Sequence, residues 1–224
     1  MDWTRRGYLD RHTPRQAWRI LDYGCGAGEY LARVAGPDRK LYGADLIAPA
    51  DAPALYTWLD LDKIDGAAPF DCIVLGHVLE HLADPSAVVA HLAGALAPDG
   101  GLWIATPNAD SFLFAAAGPW ARDIDFPRHR EIFGRAGLER LLAEVGLRAA
   151  FVSPPRVNAV LNAAATARNL LLDRELAWHT RAWKTARMAA RLLIHMVKPA
   201  ARRDRESPEL VAVCRRLDAS RAGG

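Results

Sequence analysis

Three glycines at alternate positions, Gly24, Gly26 and Gly28, follow a short apolar run in RILDYGCGAGEYLA, residues 19–32. Glycine there lets the backbone turn sharply from strand to helix and come close to a ligand. An anionic group of such a ligand would meet the N–H groups that open the helix. A pyrophosphate turn of the G-x-G-x-x-G kind needs another glycine three residues after Gly26, where Glu29 stands. Asp22, just before the turn, would repel pyrophosphate and suits a ligand carrying an ammonium group. Asp45 closes LYGAD and Asp60 closes LYTWLD. The first can accept both hydroxyls of a ribose, the second a hydrogen bond from an exocyclic amine. Singly, each acid reads as a cap or turn residue, and the glycines alone fit a ligand-free turn; together they describe a nucleoside site.

Histidine is the side chain best suited to take a proton near neutral pH, and the chain has seven. His81, in HVLEHLADP, follows an apolar run and is expected at a strand end. His129, in DIDFPRHREIF, belongs to a polar loop, with Arg128 and Arg130 beside it, expected as solvated loop arginines or, as the alternative, as groups that meet an acidic acceptor. His129 is the first candidate for a base and His81 the second. His91 falls inside an expected helix as a surface residue. The three cysteines form no C-x-x-C pair and no metal-ligand spacing. That pattern predicts no metal site and a reducing, cytoplasmic location.

These residues need a sheet to bring them together. Apolar runs recur at residues 19–22, 40–45, 55–60, 71–76, 101–106 and 147–153, with helix-like stretches between several of them, the pattern of a parallel sheet with crossover helices. Asp84-Pro85 reads as a helix start, and the helix is expected to run through Val88, Val89, Leu92 and Leu96 until Pro98-Asp99-Gly100-Gly101 stops it. A second helix is expected over 135–144, with Gly146 as its C-terminal cap. After Pro154-Pro155 the composition turns to Ala, Arg and Leu with helical periodicity, read as two helices inserted before a last strand, ELVAVCRR at 209–216.

The division that follows is a short N-terminal lid or linker (1–19), a core (20–155), a helical insertion (156–206), a final strand (207–217) and a disordered tail (218–224). The lid is expected to be one helix through Tyr8 and Trp18. Half of the 224 residues are hydrophobic (51%) and a quarter charged (25%), an ordinary globular balance. No stretch reaches the ~18 apolar residues of a membrane span, and the N-terminus lacks a signal-peptide pattern.

Four blocks, in order, resemble the class I S-adenosylmethionine-dependent methyltransferases of the ubiquinone-biosynthesis-like type: ILDYGCGAGEYL (20–31), LYGADL (41–46), FDCIVLGHVLEHLADP (70–85) and LAPDGGLWIATPN (96–108). The resemblance implies an α/β, doubly wound, Rossmann-like sheet of seven strands in the order 3-2-1-4-5-7-6, with the last antiparallel. It implies S-adenosyl-L-methionine as methyl donor and S-adenosyl-L-homocysteine as product. Gly24, Gly26 and Gly28 would line the methionine part, with Asp22 near its ammonium. Asp45 would hold the ribose, Asp60 and the Leu61 backbone the adenine, Leu46 would be a further donor-binding residue, and Gly76 and His77 would approach the sulfonium. The loop that carries His129 covers the acceptor pocket in similar enzymes.

The expected activity is methyl transfer to a small-molecule or lipid-linked acceptor, most readily at oxygen. The alternatives are a catalytically silent partner subunit that binds the donor, and a nucleic-acid methyltransferase. The last is disfavoured because GHVLEHL lacks the Asn/Asp-Pro-Pro-aromatic signature of many base-amino methyltransferases and no RNA-binding module is recognisable. Residues 1–150 hold 15 Lys and Arg against 20 Asp and Glu, whereas 151–224 hold 14 against 6. On the helix expected over 175–199, Arg181, Lys184, Arg187, Arg191, His195 and Lys198 share one sector, opposite Trp178, Ala182, Ala186, Leu193, Met196 and Val197. The apolar side is expected to pack on the core or on a second copy in a homodimer, leaving the arginines in water. The alternative is peripheral contact of 175–199 with an anionic membrane.

Overall fold

A computed structural model describes residues 17–51, 53–154, 156–173, 175–198 and 205–217. The elements are β1 (Arg19–Tyr23), α1 (Glu29–Val34), β2 (Lys40–Ala44), β3 (Thr57–Leu59), α2 (Ile64–Ala67), β4 (Phe70–Gly76), α3 (Pro85–Gly94), β5 (Leu96–Pro107), α4 (Phe112–Ala117), α5 (Arg135–Glu144), β6 (Leu147–Phe151), α6 (Arg156–Leu172), α7 (Trp178–Val197) and β7 (Glu209–Arg216). The strands form one sheet in the order β3-β2-β1-β4-β5-β7-β6, as the resemblance implies. β7 runs antiparallel to β5 and β6, and the remaining pairings are parallel. The carboxyl ends of β1 to β4 therefore lie along one edge. Chain order reverses between β1 and β4, where open sheets of this kind bind ligands.

Parallel strands are covered on both faces, which is why they read as unbroken apolar runs. Leu21, Ile73, Leu75 and Ile104 pack with Val89 and Leu92 of α3 and Leu138 and Leu142 of α5. Their neighbours Ile20, Cys72, Val74 and Trp103 pack on the other face with Tyr30, Leu31 and Val34 of α1. A third cluster joins Phe112, Leu113, Ala159, Ala163 and Met188, tying α4, α6 and α7 together.

Local signals fix several boundaries. The Asp84 carboxylate accepts the Ala87 N–H at 2.9 Å with Pro85 in the first turn, a cap worth about 1 kcal/mol. That helix ends at Gly94, however, and Leu96, expected to be helical, begins β5. The residues expected to act as a breaker lie within the strand, where the pairing with β4 shifts register between Phe70 and Cys72. Helix α5 occupies 135–144 as expected, and Gly146 beyond it has φ +74°. Its N-terminal cap comes from far away: the Arg135 N–H donates to Asp110 Oδ2 at 2.9 Å. The lid expectation lies mostly outside the described residues, as does the tail. Trp18 is not helical, and its N–H donates to the Asp71 carboxylate at 2.9 Å.

The two inserted helices are present, but the apolar side of α7 does not pack on the core, and its basic side is not left wholly in water. Of its basic sector, Arg181, Lys184, Arg187, Arg191 and Lys198 are half-buried and His195 is buried. Trp178, Ala182, Ala186, Leu193 and Val197 are exposed instead. Electronegative groups line the inner side. Arg181 Nη1 donates to the carbonyls of Leu171 (3.3 Å) and Asp173 (3.1 Å) at the end of α6, and Lys184 Nζ lies 4.8 Å from the centre of the Trp120 ring. Helix C-terminal carbonyls and aromatic faces both attract cations. Periodicity located the two faces; the neighbours decided which one turned inward. Among the described residues, no helix is long and apolar enough to cross a membrane.

Candidate active site

The glycine turn is held by backbone groups and one carboxylate. The N–H groups of Gly24 and Cys25 both donate to the Ala44 carbonyl, at 2.7 and 3.1 Å, locking the turn to the end of β2. Asp45 Oδ2 accepts the Gly26 N–H at 2.8 Å, and Oδ1 accepts the Leu46 N–H at 2.7 Å. Gly24 has φ +77°, and a Cβ there would stand 2.3 Å from Val78 Cγ2. Gly28 has φ +73°, and a Cβ there would meet the Tyr56 ring at 2.6 Å. Both positions thus exclude side chains for two independent reasons.

Above this turn lies a cavity of about 280 Å³, lined in part by Tyr23, Gly24, Asp45, Leu46, Leu61, His77 and His81. Of the expected donor-site residues, Gly24, Asp45, Leu46, Leu61 and His77 are thus brought together around one cavity. Gly26, Gly28, Asp22, Asp60 and Gly76 are not in its lining. Asp22 is buried within β1 beside the turn. Asp60, after β3, is exposed and accepts from Trp58 Nε1 at 3.3 Å. Gly76 ends β4 opposite Ala105. Burial, with the Asp22 charge second, pushes the neighbouring Cys25 thiol up to about 11, which leaves it protonated and unreactive near neutral pH.

A second cavity, of about 550 Å³, opens on the other side of His77 and His81 and is lined also by Glu80, Arg122, Asp123, Arg128, His129 and Arg168. His77 and His81 form the wall common to both cavities. His77 has φ +59°, the one positive φ outside glycine among the described residues, an uncommon conformation that surrounding contacts must hold. Its Nδ1 lies 3.3 Å from Glu80 and its Nε2 3.7 Å from Glu209. Glu80 also accepts from Thr106 Oγ1 at 3.0 Å, and Glu209 accepts from Asn158 Nδ2 at 3.0 Å. Burial raises the Glu80 carboxyl pKa, but His77, a backbone amide and Thr106 outweigh it and hold it below the usual glutamate range.

The two candidate bases meet. The rings of His81 and His129 are 4.8 Å apart, edge to face. His81 Nδ1 contacts the Arg128 carbonyl at 2.9 Å, and His129 Nδ1 contacts the Asp123 carbonyl at 2.6 Å. A carbonyl can only accept, so each Nδ1 is the donor in these contacts, which leaves Nε2 as the ring nitrogen free to face the cavity. The flanking arginines are engaged differently: Arg128 pairs with Asp125 at 2.5 Å, and the Arg130 N–H donates to the Glu80 carbonyl at 2.7 Å. His91 is a partly exposed partner of Asp65 at 3.1 Å.

Sequence reasoning missed Glu209, read only as the first residue of a strand; a buried carboxylate opening an apolar run was the available signal. It also foresaw no ligand set for a metal. Glu80, His81 and His129 offer ligand atoms within 4.8 Å of one another, although a cation there would compete with the bonds Glu80 makes to His77 and Thr106.

The fold and the glycine turn define a class I methyltransferase architecture, and comparison with known proteins agrees. A model of the methyltransferase domain family matches residues 5–150, more than half the chain, and the protein belongs to that family. Among curated relatives, the ubiquinone biosynthesis O-methyltransferase of Xylella fastidiosa is 32% identical over 129 residues, covering 51% of this chain and 52% of the relative. The chain thus spans about half the length of the curated relatives it matches. Two solved structures share the fold at low identity. The methyltransferase bound to the Trm112 activator of Haloferax volcanii is 15% identical with a TM-score of 0.60, over 95% of this chain and 88% of that one. The 1,6-didemethyltoxoflavin-N1-methyltransferase of Burkholderia thailandensis, solved with S-adenosylhomocysteine, is 17% identical with a TM-score of 0.55, over 95% and 76%.

Proposed function

We propose that the protein transfers the methyl group of S-adenosylmethionine to an oxygen of a small-molecule or lipid-linked acceptor, releasing S-adenosylhomocysteine. The observation that carries this reading is the pair of cavities meeting at His77 and His81. The smaller suits the donor. Asp45 uses one lone pair of each oxygen on Gly26 and Leu46, and a carboxylate retains enough acceptor capacity for two ribose hydroxyls. Bound there, the donor supplies an electrophilic methyl whose bonding pair stays with sulfur as the acceptor oxygen attacks. The chain's own work is to align the two partners and to take the acceptor's proton. His129 Nε2 is the proposed base, oriented through Nδ1 by the Asp123 carbonyl, and His81 stands next to it.

The test is release of S-adenosylhomocysteine against a panel of phenols, sugars, lipid-linked glycans, carboxylic acids and RNA. Turnover with a hydroxyl acceptor is expected. Donor binding without turnover on any acceptor would favour the silent subunit, and turnover with RNA alone would replace the acceptor class.

A further inference from the structure

The outer face of the inserted helices is covered by nothing in the chain as described. On α7, Trp178, Ala182, Trp183, Ala186, Ala189, Ala190, Leu193, Ile194 and Val197 are exposed and occupy a continuous arc of about 160°. His179 is the single polar residue within it. Trp178 is 74% exposed, Leu193 70% and Val197 83%, values that a helix settled in water seldom combines on one side. Beside it α6 exposes Val157, Leu161, Leu171 and Leu172. The charges around this surface are mainly basic. Arg156 and Arg168 are exposed on α6, and Arg187 and Arg191 flank the arc on α7, against Glu175. Arg187 also stacks 5.2 Å from the centre of the Trp183 ring, which holds its charge at the edge of the apolar patch.

We infer that the α6–α7 face is a docking surface for an anionic lipid bilayer. This goes beyond the methyl-transfer reading and does not depend on it. Two features on the face favour lipid over a second copy of the chain. Tryptophans beside exposed aliphatic side chains suit the boundary between headgroups and acyl chains. A basic margin is attracted to anionic headgroups. Docking would also place lipid beside the mouth of the larger cavity, because Arg168 of α6 lines that cavity while Leu171 and Leu172 lie on the outer surface.

Flotation of the full chain with vesicles is the test. Binding is expected to vesicles of phosphatidylcholine mixed with phosphatidylglycerol, not to phosphatidylcholine alone, and to weaken as salt is raised. Replacing Leu193, Ile194 and Val197 together by Gln should abolish it with the thermal melt preserved, and Arg187→Gln with Arg191→Gln should weaken it by about thirtyfold. Should the triple variant fail to fold, a second measurement decides: brominated lipid should quench tryptophan fluorescence in the native chain, and less in W178F/W183F. Absence of binding at low ionic strength overturns the inference, as does equal binding to neutral vesicles. A dimer seen by sedimentation equilibrium that the triple substitution dissociates, without vesicle binding, assigns the face to a second copy and also overturns it.

Discussion

The two halves of the site, on either side of His77, are built by different means. On the proposed donor side the structure is mostly backbone, joined between the ends of two adjacent strands: Ala44 accepts from Gly24 and Cys25, and the Asp45 carboxylate from Gly26 and Leu46. On the acceptor side it is made of side chains drawn from across the chain. His77 lies between Glu80 and Glu209, Asn158 supports Glu209, and two carbonyls from the 123–128 loop orient His81 and His129. A turn stapled through backbone tolerates few residue types and keeps a recognisable pattern. A pocket assembled from distant side chains can change its chemistry one residue at a time. The shared architecture accordingly supports the proposed donor half, while the acceptor has to be argued from this chain alone.

Substitutions on the two sides should separate these roles. The largest effect is expected at the acceptor side: His129→Ala should lower turnover by ~10²–10⁴ with donor affinity nearly unchanged, measured by product release and calorimetry. If turnover stays within a few-fold, alignment alone suffices or His81 carries the proton. Next, Gly24→Ala combines a positive φ with a 2.3 Å approach to Val78 and should cost about 2–3 kcal/mol in denaturant unfolding. Adding Val78→Ala should recover the steric part only; full recovery would show that the backbone conformation was not strained. Asp45→Ala should weaken donor binding by about 1–3 kcal/mol and leave turnover at saturating donor largely intact, the mirror image of His129→Ala. Unchanged affinity would remove Asp45 from the site.

The smallest effect is a slope. Glu80 has a folded pKa below its ordinary value, so its contribution is complete above the usual glutamate range and is lost as pH falls through the folded value. Native stability should therefore fall more steeply with acid than that of Glu80→Gln, by at most about 1.4 kcal/mol per pH unit for a single proton. Parallel profiles would mean that the His77 contact does not favour the ionised carboxylate.

What the sequence determined by itself was whatever local interactions dictate. The strand positions, the Asp84 cap and the glycine turn follow from neighbours within a few residues, and their alternation pointed to a parallel sheet with crossover helices, whose strand order the family resemblance supplied. Tertiary structure decided the rest. It stretched β5 back to Leu96 through an irregular pairing with β4, and it capped α5 with Asp110 from 25 residues away. It set Glu209 against His77 and turned the basic side of α7 toward the carbonyls ending α6. Periodicity along a helix reports that two faces differ, but which one is buried depends on the charges and rings that long-range packing brings against it, and these are not local to the segment.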